Sequence, residues 1–371
     1  MRVLIAVNSI EFRGGGVTHV RELATALVGR GHTPVVYGAG AGGAVARELR
    51  KATVPVVEDL AQLSATPDLI HGHNHLKTMV ALLHFPLTPA VYTCHSWKLW
   101  QDLPPVHPRI LSYIAVDRTC YDRLVCEGGV AEERVSVVLN AVDLQKFKPR
   151  GPLPARPRRA LVFGNNARED TFLGAVREAC AGAGLSLDVI GSGVGRAAER
   201  PEELLGAYDL VFAKARCALE ALSVGAAVIL CDADGSGPLV TTGELERLRA
   251  YNFGVRTLRN PASAEFLARE IARYDAEDAA EVSRRVRAAA SQEDAVSRTI
   301  EIYEETLARH AANGNADALE ESRAAARYIA RLDSEMARHG AASLRIYERV
   351  RRVPVVGPLG VRLARALTGK Q

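Results

Sequence analysis

Apolar residues along the chain follow two patterns. Short runs rich in Val and Ile, typical of buried strands, alternate with stretches in which apolar residues recur at helical spacing. Between the first two runs, one apolar helix face consists of Val17, Val20, Leu23, Ala24, Leu27 and Val28. The first set of predicted strands covers residues 2–7, 33–38, 68–73, 90–95, 113–116 and 135–140. The alternation predicts a parallel sheet with helices on both faces.

The pattern stops at residues 146–159, KFKPRGPLPARPRR, where four prolines and several basic residues predict a linker. It then resumes, with predicted strands at residues 160–165, 187–193, 209–214 and 227–232. From residue 260 onward the sequence favours helices. We therefore expect an α/β chain with two doubly wound, Rossmann-like domains that face a cleft and a helical C-terminal extension. The predicted boundaries are 1–148, 149–310 and 311–371.

Composition and charge narrow the classes of partner. The chain has 371 residues and a net charge of +4, with no basic and aromatic interleaving of the kind that binds nucleic acid. The N-terminus lacks a long apolar segment before a cleavage site, so we expect a cytoplasmic protein. Residues 344–371 carry seven basic residues and one acidic residue. This tail is either a peripheral contact with the inner face of a membrane or a helical extension packed on protein.

The glycine run Gly14, Gly15 and Gly16 follows the first predicted strand and precedes the first predicted helix. A dinucleotide fingerprint needs another glycine three residues later, where His19 stands, and a Walker A loop needs a Lys followed by Ser or Thr. Two interpretations remain open: a flexible turn, or a bare helix N-terminus that holds a phosphate or sugar.

Several segments together resemble family 4 glycosyltransferases of the GT-B fold. In the first half they are GGGVTHVRELATALVGRGH, DLIHGHNH, VYTCHSW and RVSVVLNAVDLQKFKP, and in the second half YDLVFAKARCALEALSVGAAVILCDADGSGPLV. The resemblance covers residues 1–310. It implies a retaining enzyme that uses a nucleotide diphosphate sugar as co-substrate. The first domain would contact the acceptor, a glycan, a lipid-linked sugar or a small molecule, and the second domain the donor.

The resemblance also implies roles for residues of the second domain. Glu220, followed by Ala, would accept hydrogen bonds from the donor ribose. The family usually has another Glu eight positions earlier, on the donor sugar, but here that position is Phe212. Asn165 and the predicted loop of Gly235, Ser236 and Gly237 would complete the donor site, together with Gly15 and Gly16 across the cleft.

Charge on the departing diphosphate must be stabilised, and a site without a metal ion must use cationic side chains. Arg168, Lys214 and Arg216 follow predicted strand ends, where the cleft should lie. We therefore predict that these three residues contact the diphosphate, with no metal and no further cofactor.

The first domain contributes a candidate for handling the acceptor. His95 ends a predicted strand at the place where the family has a His near the transferred sugar. His71, His73 and His75 would share one face of a strand, but no nearby carboxylate or thiol completes a metal ligand set, so no metal site is predicted. Asn140 would shape the hinge between the domains.

Alternatives to glycosyl transfer remain at this point. The same fold could serve a nucleotide-sugar epimerase or a hydrolase. The missing Glu at position 212 also leaves a non-catalytic binder of sugar nucleotides open. An NAD-dependent oxidoreductase is disfavoured by the sequence from Gly14 to His19.

Overall fold

The computed structural model describes residues 1–11 and 14–351, and of residues 338–351 only the helix. The first sheet contains β1 (Arg2–Ser9), β2 (Thr33–Ala39), β3 (Val56–Val57), β4 (Leu69–Gly72), β5 (Ala90–Cys94), β6 (Ile110–Ala115) and β7 (Val135–Val137). The second sheet contains β8 (Arg159–Phe163), β9 (Ser186–Ile190), β10 (Leu210–Ala213), β11 (Ala227–Asp232) and β12 (Gly235–Leu239). We call each sheet with the helices around it the first and the second domain.

The helices largely connect the strands and cover the sheets. They are α1 (Gly15–Gly29), α2 (Ala44–Lys51), α3 (His75–His84), α4 (Arg118–Asp122), α5 (Leu173–Gly182), α6 (Pro201–Leu204), α7 (Ala215–Val224), α8 (Leu245–Arg249), α9 (Ala264–Ala272), α10 (Ala276–Ala289), α11 (Gln292–Asn313) and α12 (Ala318–Arg351). The α1 helix forms where predicted, because Val20, Leu23, Ala24 and Leu27 bury one face of it.

The first sheet is parallel throughout, in the order β3-β2-β1-β4-β5-β6-β7. Residue Ile5 of β1 aligns with Val36 of β2 on one side and with His71 of β4 on the other. The chain therefore adds β2 and β3 on one side of β1 and then continues on the other side with β4, so the strand order reverses between β1 and β4. Ligands of doubly wound sheets bind at such a switch point, beyond the carboxyl ends of the strands.

The second sheet runs in the order β12-β11-β10-β8-β9, with only β12 antiparallel within it. Its side chains alternate between two apolar cores. Leu161 and Val211 pack in one core with Leu222 of α7. Val162 and Phe212 pack in the other core with Val176 of α5. The strands are apolar on both faces because helices cover both faces, as predicted.

One detail differs from the sequence-based expectation. Residues 235–239 form a strand rather than a loop, paired with β11 through Cys231 and Ser236. In the region that favours helices, α10 ends before Ala290 and α11 begins anew. The side chain of Ser291 accepts a hydrogen bond from the Asp294 N–H, which caps the new helix.

Helix α11 returns to the first domain. Its residues Val296, Ile302 and Tyr303 are buried in the same apolar core as Val3 and Ile5 of β1. The predicted span 149–310 of the second domain therefore includes a helix whose apolar face packs on the first sheet.

A second compact unit consists of Pro105–Arg109 and the described residues from Asn315 onward. Within it, Arg109 Nε donates to Glu321 Oε1 at 2.8 Å. Among the described residues, every helix is too short or too polar to span a bilayer. The side chains of the predicted basic tail, residues 344–371, lie outside the described part of the chain.

Candidate functional site

A cleft of about 400 Å³ lies between the two domains. Its walls are built from segments that follow strand carboxyl ends: the start of α1 after β1, the turns after β8 and β9, and α7 after β10. Of the predicted site residues, the cleft is lined by Gly15, Asn165, Arg216 and Glu220. The structure thus brings the glycine-led helix of the first domain to face the predicted nucleotide-binding helix of the second.

Arg216 connects the two walls of this cleft. Its Nη2 atom donates to both carboxylate oxygens of Glu22, at 2.7 and 2.8 Å, and its Nε donates to Glu220 Oε1 at 2.8 Å. Glu22 belongs to α1 of the first domain and Glu220 to α7 of the second. The predicted donor carboxylate and the predicted phosphate cation are therefore in direct contact.

Burial and charge compete within this group. Burial raises the pKa of Glu220, and the adjacent Arg216 opposes that shift. Burial disfavours the charge on Arg216, but the carboxylates of Glu22 and Glu220 outweigh it and raise the pKa of the guanidinium. Arg216 thus stays charged. Its side chain is only 15% exposed, and that of Glu22 is 13% exposed. Sequence reasoning missed Glu22, because its partner lies almost two hundred residues away.

The glycines at the start of α1 face open space. A Cβ atom built on Gly14, Gly15 or Gly16 would meet no described atom within 4 Å. Gly14 precedes the helix in an extended conformation that any residue adopts. The packing of the described residues therefore gives no reason for three glycines here. The first N–H groups of a helix lack intrahelical acceptors, so this end of α1 is suited to an anion.

Asn165 and Arg168 follow β8 but have different surroundings. Asn165 lines the cleft, and its Oδ1 accepts a hydrogen bond from the Ser192 N–H at 3.2 Å. Arg168 is 59% exposed, and its Nε lies 3.2 Å from Asp170 Oδ1. The structure does not place Arg168 among the residues that line the cleft.

Lys214 lies in a separate network of charges. It pairs with Asp232, and its Nζ lies 3.1 Å from Asp234 Oδ2. The other Asp234 oxygen lies 2.5 Å from the Nζ of Lys98, which follows β5 of the first domain. A second bridge between the domains therefore engages Lys214, with partners that differ from those of Arg216.

Gly235, Ser236 and Gly237 are integrated into β12. The Ser236 N–H donates to the Asn260 carbonyl at 2.8 Å, and its hydroxyl donates to the Pro261 carbonyl at 2.9 Å. A Cβ atom on Gly237 would lie 2.5 Å from the Thr257 carbonyl oxygen. The prediction of a loop is wrong here, and at least one N–H of this segment is used inside the domain.

Phe212 is fully buried inside β10, facing the core beside α5. Only Lys214 separates β10 from α7. Because this connection is so short, the position eight residues before Glu220 falls within a strand instead of a loop. No polar side chain from that position can reach the cleft.

His95 lies just beyond β5, in a cluster of imidazoles. Its Nε2 contacts His73 Nδ1 at 2.7 Å, and its ring centroid lies 5.1 Å from that of His19 on α1. His71 belongs to the sheet, with one ring nitrogen 2.6 Å from the Tyr303 hydroxyl and the other 2.7 Å from the Thr93 hydroxyl. Burial lowers the pKa of His19, His71 and His95 to about 3.

The expectation that His71, His73 and His75 share one strand face is wrong. The strand ends at Gly72, and His75 begins α3, where its ring packs edge-on against Trp100. The histidine that joins His73 and His95 is His19 instead.

Asn140 lies where the two domains meet. Its carbonyl accepts a hydrogen bond from Arg249 Nη2 of the second domain at 2.5 Å. Nearby, the Asn252 side chain donates to the Val116 carbonyl of the first domain. These contacts join the two domains.

Comparison with known proteins identifies the class of the fold. Residues 13–146 match the family model described as Glycosyltransferase Family 4, in agreement with the resemblance of the N-terminal segments. No match to a curated protein was found. A glycosyltransferase structure from Rickettsia africae ESF-5 is 17% identical, with a TM-score of 0.59 over 82% of this chain and 98% of that one.

A second similar structure is the catalytic domain of starch synthase IV from Arabidopsis thaliana, bound to ADP and acarbose. It is 12% identical, with a TM-score of 0.50 over 83% of this chain and 99% of that one. At such identities the likeness shows the fold. The fold is therefore of the GT-B glycosyltransferase type, with two Rossmann-like domains and C-terminal helices, as predicted.

Proposed function

We propose that this chain transfers a sugar from a nucleotide diphosphate sugar to an acceptor hydroxyl, with retention of configuration and without a metal ion on the diphosphate. The observation that carries the proposal is the buried Glu220 carboxylate at the cleft wall, with Arg216 beside it and the glycine-led start of α1 opposite. This arrangement offers an acceptor for ribose hydroxyls next to groups suited to phosphates. The solved starch synthase structure has a nucleotide diphosphate, ADP, bound to the same fold.

The donor nucleotide would bind to the second domain. A carboxylate offers two acceptor oxygens to vicinal ribose hydroxyls. Arg216 engages Oε1 of Glu220, so ribose binding through Oε2 is compatible with that contact. Asn165 lines the same wall and would contact the nucleotide or the sugar.

The diphosphate would lie between Arg216 and the N-terminus of α1. In the reaction the bond between the anomeric carbon and the phosphate oxygen breaks, and negative charge develops on the leaving group. A preorganised guanidinium and helix N–H groups stabilise that charge without reorganising. Lys214 would contribute from its network with Asp232 and Asp234. The exposed Arg168 would reach the phosphates only through a change of side-chain conformation.

The acceptor would enter from the first domain. Its oxygen bonds to the anomeric carbon on the face that the phosphate leaves, and its proton passes to the departing phosphate oxygen. This same-face displacement gives retention and needs no enzymatic nucleophile. His95, at the end of β5, would hydrogen-bond a sugar hydroxyl.

The proposal is tested by a panel of nucleotide diphosphate sugars. Each is assayed first for protection against thermal unfolding and then for release of free nucleotide with and without a panel of acceptors. We expect protection by one donor class and nucleotide release only with an acceptor. Conversion of the sugar without an acceptor would indicate an epimerase, and protection without any turnover a non-catalytic binder; either result contradicts transfer.

A variant tests the donor site itself. Glu220→Ala should abolish protection by the nucleotide. The matched control is Glu202→Ala, which removes a carboxylate from the same cleft but from α6. If Glu220→Ala binds the donor as tightly as the control does, the assignment of the nucleotide to α7 is wrong.

A further inference from the structure

We propose that His19, His73 and His95 form a binding site for a divalent transition-metal ion of the zinc type. This site does not depend on the proposed transferase function, although the two share His95. The three side chains come from three elements: His19 from α1, His73 from the turn after β4, and His95 from the turn after β5. Because β1, β4 and β5 are neighbours in the sheet, their carboxyl ends bring these residues together.

The distances within the cluster suit a metal ion. One nitrogen from each ring lies within 4.8 Å of the others. The ring centroids are 5.1 Å apart for His19 and His95, 5.1 Å for His73 and His95, and 5.6 Å for His19 and His73. In a tetrahedral zinc site with usual Zn–N bonds, the centroids of two imidazole ligands lie about 5 Å apart.

One adjustment is required for the ion to bind. His73 Nδ1 and His95 Nε2 lie 2.7 Å apart, in hydrogen-bonding contact. Two nitrogens on a tetrahedral zinc ion are separated by about 3.3 Å. Metal binding therefore requires the ring that donates this proton to carry it on its other nitrogen instead, and a small rotation of the rings supplies the remaining distance.

His71, a fourth buried histidine beside the cluster, has both ring nitrogens engaged. They contact the hydroxyls of Tyr303 and Thr93. His71 is thus not a ligand. It packs against His73 with ring centroids 4.2 Å apart and holds that ring in place.

The cluster is open to an incoming ion. His19 and His95 are partly exposed, so an ion has a route to the cluster. Three protein ligands leave a fourth position for water or a hydroxyl oxygen.

The site is tested by titrating the full chain, without donor or acceptor, with Co²⁺ and then with Zn²⁺. We expect one equivalent of Co²⁺ to give the intense visible absorption of a four-coordinate ion, and Zn²⁺ to displace it and raise the midpoint of thermal unfolding. His19→Ala should weaken Co²⁺ and Zn²⁺ binding at least about a hundredfold. Loss of a residue that only supports a metal ligand costs up to about that factor, and here a ligand itself is lost.

His19 lies on a helix and is partly exposed, so the alanine variant should fold, which its apo thermal midpoint verifies. The matched control is His84→Ala, which removes an exposed histidine at the end of α3. Absence of a bound equivalent, a weak six-coordinate spectrum, or equal affinity in the His19→Ala and His84→Ala variants would each overturn the proposal.

Discussion

The contact between Glu22 and Arg216 predicts two effects of Glu22→Gln. The variant should have a lower free energy of unfolding and should bind a nucleoside diphosphate more tightly. Glutamine keeps the size of the side chain but removes one charge and one of the two acceptors at 2.7 and 2.8 Å. Arg216 keeps Glu220 as its partner. A hydrogen bond to a charged group contributes about 1.5–3 kcal/mol, and this pair is mostly shielded from water. We expect the free energy of unfolding to fall by about 2 kcal/mol.

The gain in affinity comes from charge. In the present arrangement, Arg216 faces the carboxylates of Glu22 and Glu220, and Arg21 Nη2 lies 3.5 Å from Glu22 Oε1. A carboxylate about 8 Å from a phosphate, in an effective dielectric of about 20, repels it by about 2 kcal/mol. Part of this is screened by salt, so removing it should tighten binding of a nucleoside diphosphate about tenfold, or 1.4 kcal/mol.

The assay combines urea unfolding with calorimetric titration of UDP, ADP and GDP. Glu48→Gln is the matched control, because Glu48 lines the same cleft but its Oε2 contacts Arg21, at 2.7 Å. A double-mutant cycle of Glu22→Gln with Arg216→Met isolates the coupling between the two side chains. The reasoning is refuted if the cycle gives no coupling, or if Glu22→Gln matches Glu48→Gln in both stability and nucleotide affinity.

Three further predictions concern stability. His71 has a pKa of about 3 in the folded protein and 6.5 in the unfolded chain. Its contribution to the free energy of unfolding is therefore full above pH 6.5, and it falls by about 1.4 kcal/mol per pH unit as the pH drops towards 3. In urea unfolding between pH 4.5 and 7, His71→Asn should therefore show a shallower slope than the wild type, and parallel curves would contradict this. Phe212→Ala should lower the free energy of unfolding by about 3–5 kcal/mol through a core cavity, and a loss below 1 kcal/mol would count against its burial. Gly237→Ala should lower the midpoint of thermal unfolding, because the added Cβ would meet the Thr257 carbonyl oxygen. Gly15→Ala, which has open space for a Cβ, should leave the midpoint unchanged and weaken donor binding. Equal midpoints for the two variants would refute this prediction.

Much of the fold was predictable because the parallel strands are apolar on both faces and the helices have one apolar face. The exceptions depend on contacts between elements. The Gly and Pro content of the segment GSGPL predicts a loop, and pairing with β11 makes it a strand. The break between α10 and α11 occurs among good helix formers, and there the N–H of the distant Val142 donates to the Ala290 carbonyl.

The candidate site was predictable where its residues lie near one another in sequence. Arg216 and Glu220 are one helical turn apart, so their contact follows from the helix itself. Glu22 could not be assigned, because its role depends on how two domains face each other. The contact of His19 with His73 and His95 required the order of the strands, which spacing along the chain does not reveal.

The return of α11 to the first domain sets a rule for recombining this protein with relatives. A chimaera cut only at the linker would combine one parent's β1 with the other parent's Val296, Ile302 and Tyr303, in a single core. It would also separate the Tyr303 hydroxyl from its partner His71. The interchangeable module is therefore discontinuous: residues 292–313 must be exchanged together with the N-terminal half, and the module of the second domain ends before Ser291.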